Sequence, residues 1–233
     1  MMNRAGKFAV KAIMGIVPHL LLAAALLFIS AGTIRWGYAW AFLGAYFGVM
    51  LIGVFVLARN VDLATERRCV KGKPDVKKWD RILAPILAFI GPLSICLVGG
   101  LDFRFGWSFE TPPLACRLGG AALMILGSGF SGWAMHHNRF YSAMVRIQRD
   151  RGHTVIRSGP YRFIRHPGYA GVLVYFMSVP LILGSWWAFI PAGLTASATL
   201  IRTVLEDRTL QAELPGYLEY TQQTRRRLLP GIW

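Results

Sequence analysis

Long uncharged windows constrain this sequence more than any other feature. Stretches of about 20 residues with almost no charge recur along it, and a helix of that length crosses about 30 Å of hydrocarbon. The sequence predicts six spans, with approximate limits 13–31, 36–58, 82–101, 114–135, 169–184 and 186–205. Hydrophobic residues make up 55% of the chain, compared with about 45–50% in soluble domains. We therefore expect an all-α, polytopic membrane protein.

The last two predicted spans are expected to form a tight helical hairpin, because only about one residue, Ser185, separates them. Trp186 and Trp187 follow at the turn, and indoles favour the membrane interface. Pro180 and Pro191 fall within the two arms, where proline removes a helix hydrogen bond and is expected to cause a kink.

Two groups of small residues predict closely packed helices. Gly44 and Gly48 are four residues apart in the second span, and Gly127, Gly129 and Gly132 cluster in the fourth. Glycine lets neighbouring backbones approach closely in a membrane. We expect both groups to lie at helix–helix contacts.

The basic residues predict the orientation of the chain. Of the 26 Lys and Arg residues, 23 lie before the first span, within 59–81, within 136–165 or from Arg202 onward. With six spans these regions share one side, and the positive-inside rule places them, with both termini, in the cytoplasm. The net charge of +15 then reflects topology, so membrane lipids rather than nucleic acid are the expected partners. The 59–81 loop is interpreted as a solvated connector near anionic headgroups.

Two regions, 136–169 and 202–233, are more polar than topology requires. The hairpin between them leaves one membrane face and returns to it, so the two regions can meet there. We therefore divide the chain into 1–135, with N-terminal transmembrane helices and a basic loop, and a functional region, 136–233.

His166-Pro167 is the first candidate for chemistry. Proline suits the first turn of a helix, and a span that begins at Pro167 directs its free N–H groups toward whatever lies beside His166. Such a site suits a carboxylate. The alternative is that Arg162, Arg165 and His166 only anchor the helix at the headgroups.

Arg202 and Glu206 are the second candidate, because residues four apart share one helix face. Ionisable groups at membrane depth pair with each other or line a cavity. The spacing leaves both possibilities open, a plain ion pair or two separate ligand contacts. No metal site is expected, since His136 and His137 are adjacent and no ligand recurs at helical spacing.

Three motifs in order resemble the integral membrane methyltransferases, which include isoprenylcysteine carboxyl methyltransferase and the phospholipid N-methyltransferases. The motifs are "HTVIRSGPYRFIRHPGYAG", then "EDRTLQAELPGYLEY" and "RRRLLP". The resemblance covers about Asn138 to Trp233. Two departures stand out, since the family's paired glutamates are Glu206-Asp207 here and the segment before Tyr217 is one residue shorter.

The resemblance implies S-adenosylmethionine as methyl donor, in a cytoplasmic pocket closed by the C-terminal segment. It places Arg202 near the methyl acceptor. The positions that it assigns to the cofactor are His153, Thr154, Val155, Ile156, Tyr161, His166, Pro167, Gly168, Tyr169 and Glu206.

The implied function is methyl transfer to a lipophilic acceptor, such as the carboxylate of an isoprenylcysteine-like substrate, that enters from the bilayer. A carboxylate is already ionised at pH 7 and needs no general base. One alternative is an NADPH-dependent membrane reductase of the sterol type, which shares a His-Pro-x-Tyr motif. The other is a non-enzymatic membrane assembly or transport subunit.

Overall fold

The computed structural model describes residues 4–58, 61–68, 75–110 and 112–229, and no β-strand occurs in these ranges. The helices are α1 Arg4–Ala31, α2 Gly37–Ala58, α3 Val61–Arg68, α4 Asp80–Pro85, α5 Gly91–Phe105, α6 Leu114–His137, α7 Pro167–Leu183, α8 Phe189–Glu213 and α9 Tyr217–Gln223. A π-helical turn, Ile86–Ile90, joins α4 to α5. The all-α prediction is confirmed.

Within the described residues, four helical stretches are long and apolar enough to cross a membrane: Gly6–Ala31, Gly37–Ala58, Asp80–Phe105 and Leu114–His137. The chain is therefore an integral membrane protein. Helix α7 is a shorter apolar helix. The six long helical stretches lie at the positions of the six predicted spans, but a crossing by α7 and α8, and with it the count of six, stays a prediction.

The π-helical turn has a local cause in Pro92. Proline has no N–H and its ring crowds the carbonyl of the residue four positions earlier, which here falls inside Ile86–Ile90. A wider turn accommodates this defect within one continuous helix. Gly91 beside it allows a close approach, because an added Cβ would lie 3.1 Å from Cβ of Thr195 on α8 and closer still to the rest of that side chain.

Glycines bring α6 and α7 together, but only some of those predicted to do so. An added Cβ on Gly127 would lie 2.6 Å from the carbonyl oxygen of Gly171, so these two backbones touch. Gly129 and Gly132 have no atom within 4 Å of an added Cβ. The same holds for Gly44 and Gly48. The prediction that these four glycines lie at helix contacts is therefore wrong.

This difference between glycines gives a direct test of α6–α7 packing. Gly171→Ala is expected to destabilise the protein by about 1–3 kcal/mol, because its Cβ would overlap the Gly127 carbonyl and the two backbones must separate. Gly129→Ala is the matched control on open space and is expected to be neutral or stabilising by up to about 1 kcal/mol. Denaturant unfolding in detergent measures both variants; equal stabilities would contradict the contact.

The hairpin link is longer than predicted. Helix α7 ends at Leu183 and is capped by Gly184, whose φ of 74° lies in the left-handed region. Helix α8 begins only at Phe189. Ser185 is buried in the link and bonds Asp102 of α5. Pro191 falls in the first turn of α8, where a missing N–H breaks no helix hydrogen bond, so the predicted kink there is not needed.

One apolar core unites the two parts of the chain. Its buried members include Leu27 of α1, Phe42 of α2, Ile95 of α5, Met124 of α6 and Phe176 of α7. The first part therefore supports the helices that carry the polar region. The division at residue 135 stays a prediction about function and does not mark a break in packing.

Candidate functional site

A cavity of about 110 Å³ lies where the 138–165 segment meets the start of α7, the second half of α8 and α9. Among the predicted site residues, those that line it are His153, Thr154, Val155, Ile156, Tyr161, His166, Gly168, Tyr169, Arg202 and Glu206. Pro167 is buried as the first residue of α7 and does not line the cavity. The structure thus brings together residues that are up to 53 positions apart in the sequence.

The cavity opening at α7 depends on a glycine. An added Cβ on Gly168 would lie 2.8 Å from Cε2 and 3.0 Å from the hydroxyl oxygen of Tyr141, so only glycine lets that ring lie against the helix start. The Tyr169 hydroxyl donates a hydrogen bond to Glu206. The hydroxyl of Ser142, another lining residue, is buried and has no hydrogen-bond partner among the described residues. The wall therefore combines aromatic faces, a carboxylate and an unused hydroxyl.

Asp207 is a buried centre that sequence reasoning missed. Its side chain is 0% exposed, and Arg165 donates to both of its oxygens at 2.9 Å. Nε of Arg227 donates to Oδ2 at 2.9 Å, and the Tyr217 hydroxyl donates to Oδ1 at 3.0 Å. His166 Nε2 lies 3.0 Å from the same Oδ1. One carboxylate therefore joins the start of α7, α9 and the residues that follow α9.

These contacts change the interpretation of His166 and Arg165. We expected His166 to face a bound carboxylate, or Arg162, Arg165 and His166 only to anchor the helix at the headgroups. Arg165 and His166 are instead 6% and 5% exposed, which excludes simple headgroup anchoring. His166 directs Nε2 to a carboxylate of the protein itself, Asp207. Any effect of His166 on a ligand therefore includes its effect on Asp207.

Residues 224–229, which we call the C-terminal segment, are held against the start of α7. The backbone N–H groups of Arg165 and His166 donate to the carbonyls of Arg226 and Arg227, both at 2.9 Å. Nη1 of Arg165 donates to the Thr224 carbonyl at 2.9 Å. These bonds fix the C-terminal segment against Arg165 and His166, which line the cavity. Closure of the site by this segment stays a prediction.

Arg202 does not pair with Glu206, so the simple ion-pair alternative is wrong. Its Nε donates to Oδ1 of Asp80 at 2.6 Å and its Nη2 donates to Oδ2 at 2.9 Å. Asp80 is the first residue of α4 and is 0% exposed. The guanidinium also lies 5.5 Å from the centre of the Tyr169 ring. The sequence does contain a sign of this pair, because Asp80 is a lone acid at the edge of a predicted span and such a charge needs a partner.

The end of the predicted 59–81 connector is part of this site. The backbone N–H of Lys77 donates to the Val145 carbonyl at 3.1 Å, and the Arg146 side chain pairs with Asp75 at 2.8 Å. The interpretation of 59–81 as a solvated connector is therefore wrong for 75–81. Residues 59–60 and 69–74 lie outside the described residues.

His153 is held as a neutral imidazole. Burial, together with the charges of Arg146 and Arg151, lowers its pKa to about 4. Its Nδ1 accepts the backbone N–H of Gln148 at 3.2 Å, and its ring packs on Phe140 with centroids 4.4 Å apart. With Nδ1 accepting, the neutral ring carries its proton on Nε2.

Comparisons with known proteins agree with the resemblance drawn from the motifs. A family described as phospholipid methyltransferase matches residues 115–214. Protein-S-isoprenylcysteine O-methyltransferase of Saccharomyces cerevisiae is 30% identical over 93 residues, which are 38% of this chain and 38% of that protein. The resemblance to the integral membrane methyltransferases is confirmed, and the match spans well under half of the curated relative. Asp80, α9 and the C-terminal segment lie outside the family match.

Proposed function

We propose that this protein transfers a methyl group from S-adenosylmethionine to the carboxylate of a lipophilic acceptor at the cytoplasmic face of the membrane. The observation that carries the proposal is the convergence of the motif residues on one cavity. The matched family, described as phospholipid methyltransferase, and the similar yeast protein, a protein-S-isoprenylcysteine O-methyltransferase, support a lipid-like acceptor.

The residues present fit the donor. The Ser142 hydroxyl, which has no partner among the described residues, can donate to the carboxylate of S-adenosylmethionine or accept from its amino group. Glu206 offers a carboxylate to a cationic or hydroxyl group, and Tyr141 and Tyr169 offer aromatic faces to a sulfonium. S-adenosylmethionine supplies an electrophilic methyl group: as an acceptor oxygen bonds to the methyl carbon, the carbon–sulfur bond breaks, its electron pair stays on sulfur, and no proton moves.

The protein's titratable groups favour a carboxylate acceptor over an amine. An amine acceptor is protonated at pH 7 and needs a base. His166 already faces Asp207, and the lowered pKa of His153, about 4, makes it a weak base. A carboxylate needs neither residue. Its charge and that of a sulfonium cancel during transfer, which a water-poor pocket favours.

The cytoplasmic position of the site rests on the basic residues. The site unites 138–165 with α8 and the C-terminal segment, which carry many of the 23 clustered cations. Reporter fusions after Trp233 and within 102–112 are expected to score inside and outside, respectively. An outside C-terminus would overturn either the orientation or the count of six spans.

Calorimetry on the detergent-purified protein tests the donor. We expect S-adenosylhomocysteine to bind and NADPH not to bind. Binding of NADPH alone would support the sterol-type reductase instead. Binding of neither compound would support a non-enzymatic membrane subunit. Asp102→Asn, which removes a buried carboxylate bonded to Ser108 and Ser185 away from the cavity, is the control for nonspecific loss of affinity.

A further inference from the structure

Arg202 has one nitrogen left for a ligand. A guanidinium carries five N–H donors, one on Nε and two on each Nη. Nε and Nη2 donate to Asp80, and Nη2 also donates to the Ala143 carbonyl at 2.9 Å. Neither N–H of Nη1 has a hydrogen-bond partner among the described residues, and Nη1 is accessible rather than buried. Because Arg202 lines the cavity, its free donors are both on an accessible nitrogen.

Asp80 fixes this arrangement rigidly. Besides Arg202, its Oδ2 accepts the backbone N–H of Val145 at 2.6 Å. Its carboxylate also lies in the first turn of α4, where the helix dipole favours a negative charge. Two charge-assisted bonds in parallel set both the position and the plane of the guanidinium. The ion pair is neutral as a whole, so it adds no net charge to the cavity.

We propose that Asp80 is a positioning residue that makes Arg202 a one-nitrogen donor to the acceptor carboxylate. The inference rests on the proposed function. A guanidinium with both edges free can hold both carboxylate oxygens in a fork. With Nε and Nη2 occupied, Nη1 holds one oxygen and leaves the other with its lone pairs free to attack the methyl carbon.

This proposal gives the first part of the chain a role in the reaction. Asp80 lies before the family match at 115–214, and it belongs to the continuous Asp80–Phe105 helix. Residues of the matched region alone would leave Arg202 with a free fork. The helix that begins at Asp80 therefore contributes to the choice of acceptor as well as to packing.

The experiment compares Asp80→Asn and Asp80→Glu with the wild-type protein, with Asp102→Asn as a control of matched burial. Rates are measured with S-adenosylmethionine and N-acetyl-S-farnesylcysteine as a carboxylate probe, per mole of protein that binds S-adenosylhomocysteine. We expect both Asp80 variants to lose about 100-fold in kcat/KM for the acceptor. We expect their affinity for S-adenosylhomocysteine and the rate of Asp102→Asn to be unchanged.

Each outcome bears on one proposal. A wild-type protein that methylates no lipophilic acceptor would overturn the proposed function itself. Active wild type together with active Asp80 variants would overturn the positioning role alone. Asp80→Glu keeps the charge and lengthens the side chain, so it tests position even if Asp80→Asn does not fold. Failure of both variants to fold, with Asp102→Asn folded, would make the pair a structural one and would contradict the proposal.

Discussion

Replacing Asp207 with asparagine is expected to abolish donor binding and to release the C-terminal segment. The substitution keeps the shape of the side chain but leaves Arg165, which is 6% exposed, without its counter-charge. Removing one partner of a buried ion pair costs about 3–5 kcal/mol. Arg227 and Tyr217 donate to different oxygens of Asp207, and an asparagine amide leaves only one oxygen to accept, so the contacts around the cavity weaken together.

Glu213→Gln is the matched control for Asp207→Asn. It removes one negative charge from the same helix, but its partner Lys77 is part-exposed, and such pairs are worth about 0–1 kcal/mol. Calorimetry with S-adenosylhomocysteine measures donor binding, and trypsin cleavage near Arg225–Arg227 measures release of the C-terminal segment. A protected segment with unchanged affinity in Asp207→Asn would contradict the role of Asp207 as the buried centre.

Arg202→Leu and Glu206→Gln are expected to fail in different ways. Arg202→Leu leaves Asp80 buried without its counter-charge, so we expect a loss of about 3–5 kcal/mol in the free energy of unfolding. Methyl transfer should be abolished in any folded fraction. Glu206→Gln keeps an oxygen that accepts from the Tyr169 hydroxyl, so the fold should persist while donor binding weakens.

Double variants separate these roles. Arg202→Leu with Glu206→Gln is expected to recover no stability, because the two side chains do not pair and Asp80 stays buried without its counter-charge. Arg202→Leu with Asp80→Leu should recover much of the stability that Arg202→Leu loses, since apolar groups can replace a buried ion pair at little cost or with a gain. Denaturant unfolding and transfer assays measure both. Recovery by the first double variant and not by the second would contradict the Asp80–Arg202 pair.

Local pattern was enough to predict the helices and most of the cavity lining. Hydrophobic length places a span without knowledge of its neighbours, so Gly37–Ala58 and Leu114–His137 lie within two residues of the predicted limits. The motif residues from His153 to Tyr169 are close in sequence, and the hairpin had to return Arg202 and Glu206 to their side. Pattern and chain direction together determine these placements.

Partners of buried charges could not be predicted in the same way. Asp80 and Arg202 are 122 positions apart, and their pairing depends on how α4 packs against α8. Asp207 follows Glu206 directly in the sequence but faces a different direction, and Arg165, His166 and Arg227 meet it there. The spacing of Gly44 and Gly48 likewise predicts a helix face without side chains. It does not predict whether another helix packs on that face, and none of the described helices does so closely.

Transfer of a labelled methyl group in reconstituted vesicles most directly tests methylation of a lipid carboxylate. The wild-type protein receives methyl-labelled S-adenosylmethionine with either N-acetyl-S-farnesylcysteine or phosphatidylethanolamine in the bilayer. We expect label in the farnesylcysteine sample as a methyl ester, which mild base releases as methanol, and none in phosphatidylethanolamine. Base-stable label in the phosphatidylethanolamine headgroup, with no ester formed, would contradict carboxylate methylation.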